Sequence, residues 1–228
     1  MNSIQLENIL FKYSGASKYT LDIPDFTLAK NKKAFLFGPS GCGKTTLLEI
    51  LAGVLVPESG AVNICGSELQ KMSASERDHF RAAKMGYIFQ SFNLIPYLSV
   101  YENIVLPINL SVERRKNVPR HDELKIVLSM CEKLGLVDYL NRSVTELSVG
   151  QQQRVAAARA LLGKPELILA DEPTSALDYD HREKFIKLLF EMCDQSQTAL
   201  LFVSHDRTLE KLFDQSISLV EINKASYL

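Results

Sequence analysis

The sequence predicts an α/β fold in which a mainly parallel sheet forms the core, with an antiparallel β layer beside it and an inserted helical subdomain. Three short apolar runs predict the parallel sheet, at Ala34 to Phe37, Leu167 to Ala170 and Ala199 to Val203. The runs are continuous rather than alternating, which is typical of strands buried on both faces. Each is followed by polar or glycine residues and then by a helical pattern, the order found in α/β proteins.

The N-terminal region has a different pattern, which predicts the antiparallel layer. Apolar residues alternate with polar ones at Ile4 and Leu6, and again at Ile23, Phe26 and Leu28. Alternation with a period of two is typical of a sheet with one buried face. A short run over residues 60–66 adds a further strand to this layer.

The helical subdomain is predicted from the middle of the chain, residues 91–163. Val118-Pro119 is expected to interrupt the helical pattern there, because the residue before a proline is disfavoured in a helix. Beyond it, apolar residues recur at helical spacing, at Leu124, Val127, Leu128, Met130, Cys131 and Leu134. We therefore expect a single domain over 1–228, with residues 1–90 and 164–228 forming the α/β core and 91–163 the helical subdomain.

Composition limits the classes of function. The 228 residues include 26 Lys and Arg and 27 Asp and Glu. Proteins that bind the nucleic-acid backbone usually have an excess of basic residues, so we expect no nucleic-acid partner. The four cysteines are too far apart in sequence for a CxxC metal or redox site, and we expect free thiols of a reducing compartment. No stretch approaches 18 consecutive apolar residues, and no signal-peptide pattern is present at the start.

A glycine-rich segment after the first apolar run predicts a phosphate-binding loop. The segment "GPSGCGKTT" fits the pattern GxxxxGK[ST] and lies between a predicted strand and a predicted helix. Its glycines allow successive backbone N–H groups to face phosphate oxygens, and the helix N-terminus adds partial positive charge. Lys44 is expected to reach the β- and γ-phosphates, and the Thr45 hydroxyl to ligate Mg²⁺. The predicted nucleotide contacts are Gly38, Pro39, Ser40, Gly41, Cys42, Gly43, Lys44, Thr45 and Thr46.

Polar residues follow the other predicted core strands where ligands of an open α/β sheet bind, at the carboxyl ends. Asp171 is placed to hold Mg²⁺, and Glu172 to polarise a water that attacks the γ-phosphate. His205 follows the third run and is expected to contact the γ-phosphate. Gln90 ends another short strand, where its amide could contact Mg²⁺ or the attacking water. The predicted catalytic residues are therefore Lys44, Gln90, Glu172 and His205, and the predicted metal ligands Thr45, Gln90 and Asp171.

The segment Ser148 to Gln151 predicts a helix start with an unusual glycine. Ser148 and Gln151 form the S-x-x-Q pattern of a capping box. Gly150 weakens a helix by about 0.5–1 kcal/mol relative to alanine and has no capping role. A first turn without a Cβ leaves backbone N–H groups open to an anion, which indicates a second phosphate-facing helix start.

Taken together, these motifs resemble the nucleotide-binding subunit of ATP-binding cassette (ABC) transporters over nearly the whole chain. The matching motifs are the Walker A loop "GPSGCGKTT", the Q-loop Gln90, the signature "LSVGQ", the Walker B segment "LILADE", the D-loop "SALD" and the switch His205. The resemblance implies ATP and Mg²⁺ as ligands and a RecA-like core with a helical signalling subdomain. It also implies that Tyr13 stacks on adenine.

The resemblance further implies that two copies dimerise head to tail around ATP. Residues of the signature and D-loop would then contact the partner's nucleotide, namely Ser148, Val149, Gly150, Gln151 and Asp178. Val149 departs from the family pattern, which has glycine there. Since a β-branched residue is poor at positive φ, we expect Val149 to have helical or extended φ and to point away from the phosphate.

The segment Phe89 to Ile108 is similar to the lipoprotein-releasing, macrolide-export and FtsE-type group. This resemblance implies an ATPase that couples dimerisation and hydrolysis to a separate integral membrane permease, on the cytoplasmic face of the inner membrane, for export, lipoprotein release or force transmission. Two alternatives remain: a soluble non-transport ABC ATPase, such as a SufC-like assembly factor, and an FtsE-like cell-division regulator.

Overall fold

The apolar runs of the sequence form the central strands of a five-stranded parallel sheet in the computed structural model. The structure describes residues 1–175 and 179–225, and of 179–181 only the backbone. The described strands are β1 (Asn2–Phe11), β2 (Leu21–Ala29), β3 (Lys33–Phe37), β4 (Ser59–Ile64), β5 (Ser67–Glu68), β6 (Met85–Ile88), β7 (Leu167–Asp171), β8 (Ala199–Val203) and β9 (Gln215–Ser218). In the parallel sheet they lie in the order β6-β7-β8-β3-β9.

The remaining strands form the antiparallel layer, in the order β2-β1-β4-β5. β1 pairs with β2 on one side and with β4 on the other, both antiparallel. Burial alternates along β2, where Ile23, Phe26 and Leu28 are buried and Asp25 and Thr27 are exposed. The predicted layer and its apolar face are therefore present.

Eight α-helices lie within the described part of the chain. They are α1 (Lys44–Leu51), α2 (Ala74–Lys84), α3 (Val100–Leu110), α4 (Val112–Lys116), α5 (Glu123–Leu134), α6 (Val149–Leu161), α7 (Tyr179–Ser196) and α8 (Leu219–Ile222). Helices α3 to α6 fall in the segment predicted to be helical. Among the described residues, no helix has both the length and the apolar character needed to span a membrane.

The parallel sheet has an apolar cluster on each face, which explains the continuous apolar runs. Phe35, Ile168 and Phe202 pack with helices α3, α5, α6 and α7 on one face. Alternate residues of the same strands, such as Leu36 and Leu201, pack on the other face with α1 and the antiparallel layer. Because the central positions of these strands are buried, the polar residues that function needs lie at the ends of the strands or after them.

A buried arginine joins the helical region to the sheet. Arg114 donates from Nη1 to the carbonyl oxygens of Ala160, at 3.2 Å, and Leu162, at 3.0 Å, and from Nη2 to that of Met85. Its side chain is fully buried, and this burial lowers the pKa of Arg114 to about 10. The guanidinium therefore supplies donors to carbonyls at the end of α6 and the start of β6.

Strand β9 and helix α2 are among the elements that were not predicted from the sequence. Strand β9 has only four residues and pairs on one side, with β3. Helix α2 has no buried residue, so it lacks the apolar stripe that reveals a helix. The signal that could have identified it is the capping box of Ser73 and Glu76, which is present in the structure.

Candidate nucleotide-binding site

A cleft of about 530 Å³ lies at the carboxyl ends of the parallel strands and collects the predicted residues of the phosphate loop, Walker B segment and switch. It contains side chains from segments that are far apart in sequence. The lining residues are Tyr13, Thr20, Ser40, Gly41, Gly43, Lys44, Thr45, Thr46, Gln90, Asp171, Glu172 and His205. Of the predicted loop residues, Gly38, Pro39 and Cys42 lie in the same loop but do not line the cleft.

The loop before α1 has the backbone conformation that its glycines allow. Gly41 and Gly43 have φ values of +81° and +98°, which other residues rarely adopt. At Gly43 a Cβ would also meet Leu21 Cδ2 at 2.8 Å. Gly43 is the N-cap residue immediately before α1, so the tight turn brings the first N–H groups of that helix to the cleft.

Lys44 is held by the loop itself. Its Nζ donates to the carbonyl oxygens of Gly38 at 2.8 Å and Pro39 at 2.9 Å. The ammonium group therefore lies across the loop, where phosphate oxygens could replace the two carbonyls as acceptors. The next residue, Thr45, is exposed in the cleft.

The side chains of Thr46, in the first turn of α1, and of Cys42, in the loop before it, both contact other residues of the protein. The Thr46 hydroxyl lies 3.0 Å from the Tyr13 hydroxyl, and either group can donate this hydrogen bond. Tyr13 is half-exposed and packs edge-on against Phe11, with ring centroids 5.0 Å apart. Cys42 is buried, and a Cβ on Gly38 would lie 2.6 Å from its Sγ. Position 38 therefore has no room for a side chain while Cys42 is in place.

The acidic pair occupies the end of β7. Asp171 is the last residue of the strand, and burial together with the charge of Glu172 raises its pKa, while the charge of Lys44 opposes this change. Glu172 has φ of +47°, a strained conformation for a residue other than glycine. Its backbone N–H donates to Val203 O at 2.9 Å, which fixes the residue beside β8.

His205 contacts the second acid directly. Its Nδ1 lies 2.7 Å from Glu172 Oε2, and its side chain is 69% exposed. The contact joins the residue predicted as the general base to the residue predicted to contact the γ-phosphate. The sequence placed both at one sheet edge but gave no indication of this hydrogen bond.

The cleft has the donor set that Mg²⁺ prefers. The Thr45 hydroxyl, the Gln90 amide and the Asp171 carboxylate all belong to residues lining it. Mg²⁺ binds oxygen and is usually held by one or two protein groups together with waters and phosphates. Among the described residues, no group of three or more His, Cys, Asp or Glu side chains could hold a metal without such help. These residues therefore fit a metal that arrives with a phosphate ligand.

The signature segment starts α6 as predicted but lies outside this cleft. The Ser148 hydroxyl accepts from Gln151 N at 3.4 Å, and Gln151 Oε1 accepts from Ser148 N at 2.8 Å, so the capping box is formed. Gly150 lies in the first turn of the helix. Val149 is helical, without positive φ, and 47% exposed. The predicted backbone of Val149 is therefore correct. Asp178 lies outside the described residues.

The next two glutamines have roles that sequence reasoning missed. Gln152 Nε2 donates to Val144 O at 3.0 Å and to Leu147 O at 3.3 Å, which ties α6 to the preceding turn. Gln153 is buried and donates to Pro173 O at 2.7 Å. This bond connects the signature helix to the residue after Glu172. The signal in the sequence for this bond was a polar residue, Gln153, on the buried face of α6.

A glycine-rich loop, a helix N-terminus and acidic residues at the carboxyl edge of a parallel sheet define a class, the P-loop nucleotide-binding proteins. Within this class, the family model described as ABC transporter matches residues 21–175. The chain belongs to this family and is one of its ATP-binding cassettes.

Two relatives illustrate the match. The chain is 37% identical over 212 residues to the lipoprotein-releasing system ATP-binding protein LolD of Psychrobacter arcticus, covering 93% of this chain and 92% of that protein. It is 34% identical over 222 residues to an uncharacterized ABC transporter ATP-binding protein of Mycobacterium tuberculosis. That alignment covers 96% of this chain, which spans 65% of the relative's length.

Solved structures give the same result. The dimeric structure of MJ0796, a bacterial ABC transporter cassette, has a TM-score of 0.82 at 32% identity and covers 99% of this chain and 98% of that one. A dimeric post-hydrolysis state of MJ0796 bound to ADP and phosphate also has a TM-score of 0.82 at 32% identity, covering 94% and 93%. The comparisons confirm the predicted family and fold. The roles of individual residues stay predictions.

Proposed function

We propose that this chain binds and hydrolyses ATP with Mg²⁺ and couples this reaction to a separate integral membrane permease. One observation carries the proposal. Lys44, Thr45, Asp171, Glu172 and His205 line a single cleft at the carboxyl edge of the sheet. Together they have the chemistry for four parts of phosphoryl transfer to water: charge neutralisation by Lys44, metal binding by Thr45 and Asp171, activation of water by Glu172 and contact with the γ-phosphate by His205.

In the proposed reaction, the N–H groups of the loop and Lys44 bind the phosphates, with Lys44 leaving the carbonyls of Gly38 and Pro39. Tyr13 leaves Thr46 and stacks on adenine. Thr45, Asp171 and Gln90 hold Mg²⁺, which when bound neutralises the charge on the phosphate oxygens. Glu172 accepts a proton from the attacking water. His205 releases Glu172 and donates to a γ-phosphate oxygen, so the contact between them separates as the γ-phosphate is bound.

We further propose that the active form is a head-to-tail dimer of two copies. Ser148, Gly150 and Gln151 lie outside the cleft of their own chain, and the first turn of α6 has polar, partly exposed residues. A phosphate bound there would come from the partner chain. Val149 and Asp178 belong to the same proposed surface. The related cassette MJ0796 has dimeric structures, which supports a dimer for this chain.

The proposed membrane partner follows from the family and from LolD-like relatives. The chain would then work in the cytoplasm, at the cytoplasmic face of the inner membrane, for export, lipoprotein release or force transmission. No described helix could span the membrane itself. Co-purification of the chain with a membrane protein encoded beside it tests this part of the proposal.

The nucleotide assignment is tested with Lys44→Ala. Loss of the ammonium group should weaken ATP binding about tenfold or more, because a charge-assisted contact to phosphate is lost. Binding is measured by titration with a fluorescent ATP analogue, and Lys30→Ala, an exposed lysine in the β2–β3 turn, is the control. Wild-type affinity in Lys44→Ala contradicts the assignment.

The catalytic assignment is tested with Glu172→Gln. The variant should bind ATP but hydrolyse it about 10² to 10⁴ times more slowly, since the general base is lost. It should therefore accumulate as an ATP-bound dimer, measured by light scattering after size exclusion in excess ATP and Mg²⁺. A Glu172→Gln protein that stays monomeric under these conditions counts against Glu172 as the base.

A further inference from the structure

A second cleft, of about 480 Å³, lies near the start of strand β7, away from the nucleotide site. It is bounded by one face of α5, the turn between α6 and β7, and the end of α7. Lys164 lines it and lies just before β7, whereas Asp171 ends that strand in the nucleotide cleft. The two clefts therefore belong to opposite ends of the same strand.

The cleft combines an apolar floor with a basic rim. Its floor includes Ile126, Met130 and Met192, of which Met192 is buried and the other two are partly buried. Three lysines, Lys125, Lys133 and Lys164, line the same cleft and are exposed. The pattern differs from an ordinary solvated face, because the cations surround a concave apolar surface.

Positive charge predominates on the rim, because three lysines and one acid, Asp122, line the cleft. Asp122 Oδ2 lies 3.2 Å from Nε2 of His121. Within the described part of the chain, neither Lys125 nor Lys164 has a carboxylate within 4.0 Å. Lys133 donates to Gln195 Oε1 at 2.6 Å, a neutral partner.

Two nearby acids pair with lysines outside the cleft, and the exposed Glu132, next to Lys133, is not among the residues that line it. Glu166, two residues beyond Lys164, pairs with Lys84 at 2.5 Å, and Asp194, beside Gln195, pairs with Lys33 at 2.5 Å. The rim is therefore available to an external anion.

We propose that this cleft binds an amphipathic anion, a carboxylate carrying an alkyl chain of medium length. The chain would be removed from water against the floor, and the carboxylate would lie among the lysines, whose compact charges suit it. The volume falls within the roughly 300–1,000 Å³ of small-molecule sites. A simple inorganic anion would leave the apolar floor unused. This proposal does not rest on the proposed ATPase function.

Calorimetric titration of the full chain with octanoate tests the proposal. We expect one molecule bound per chain, and at least about tenfold weaker binding of 1-octanol, which lacks the charge. Lys125→Glu/Lys164→Glu should weaken octanoate binding at least about tenfold. The control Lys18→Glu/Lys30→Glu makes the same charge change at exposed lysines outside the cleft and should leave affinity within about twofold.

A second variant tests the apolar part of the site. Ser129 is exposed on the face of α5 that lines the cleft, so Ser129→Trp should fill the space and abolish octanoate binding without loss of thermal stability. Absence of octanoate binding to the wild-type chain overturns the proposal. So do equal losses in the two lysine variants, unchanged binding in Ser129→Trp, or displacement of octanoate by inorganic phosphate at similar concentration.

Discussion

Gln153 lies where the signature helix meets the segment that carries the proposed general base. Its amide donates to Pro173 O at 2.7 Å inside the protein, one residue beyond Glu172. Glu172 itself has positive φ, a conformation that persists only where its surroundings hold it. We infer that Gln153 is a positioning residue, which acts on the reaction through the placement of Glu172.

If Gln153 acts by positioning Glu172, its replacement should lower kcat and leave KM nearly unchanged. Gln153→Met should lower kcat for ATP about tenfold or more, because a small displacement of a catalytic group costs much of its effect, while KM changes less than about twofold. The change should also destabilise the fold by about 1–3 kcal/mol, since Pro173 O loses its donor. Steady-state ATPase kinetics and urea unfolding measure the two effects.

The neighbouring Gln152 provides a matched control on the same helix. Its amide bonds to the turn before α6 rather than to the segment after β7. Gln152→Met should lower the free energy of unfolding by a similar amount and leave kcat within about twofold. Equal losses of kcat in both variants would show that Gln153 acts only through stability.

At the scale of elements, a charged cluster joins three helices of the helical region. Glu123, the first residue of α5, accepts from Tyr101 Oη of α3 at 2.6 Å and pairs with Arg115 of α4. These hydrogen bonds lower the pKa of Glu123, and burial followed by the bond to Glu123 raises the pKa of Tyr101 to about 12. The cluster holds α3, α4 and α5 against one another.

The cluster predicts a pH-dependent contribution to stability. Glu123→Gln should lower the free energy of unfolding by about 1–2 kcal/mol at pH 7, because the charge-assisted bonds are weakened. Since the folded pKa lies below the ordinary 4.5, the difference from wild type is complete above pH 4.5 and declines as pH falls through the lowered pKa. Urea unfolding at several pH values measures it.

Glu132→Gln, an exposed change near the end of the same helix, is the control and should have little effect at any pH. A difference between wild type and Glu123→Gln that grows on acidification would contradict the account.

At the scale of the whole molecule, the sequence predicted the parts that follow from periodicity and local chemistry. Continuous apolar runs predicted β3, β7 and β8, and the ends of these strands predicted where the functional side chains converge. Contacts between distant segments could not be predicted in this way. Arg114, for example, lies in a run of four charged residues, a composition typical of a solvated surface. Its side chain is nevertheless buried against carbonyls of β6 and α6.

The same limit applies within the candidate site. The motifs place His205, Glu172, Tyr13 and Thr46 at one edge of the sheet. They do not reveal that His205 bonds Glu172, or that Tyr13 bonds Thr46, because these contacts depend on side-chain positions between loops.

In the proposed dimer, the signature segment of each chain completes the ATP site of the other chain. Lys44→Ala removes the phosphate contact, and Gly150→Asp introduces a repelling carboxylate at the signature helix, so each variant alone should lack ATPase activity. In an equal mixture, half of the dimers are mixed, and one of the two sites in each mixed dimer combines an intact loop with an intact signature.

The decisive measurement is therefore the ATPase activity of the two inactive variants after mixing. If subunits exchange freely and sites act independently, we expect the mixture to recover about a quarter of wild-type activity per chain. Rescue that depends on mixing places Gly150 in trans. If the variants exchange subunits, as shown by fluorescence transfer between labelled chains, yet the mixture stays inactive, the claim that the signature completes a partner's site is contradicted.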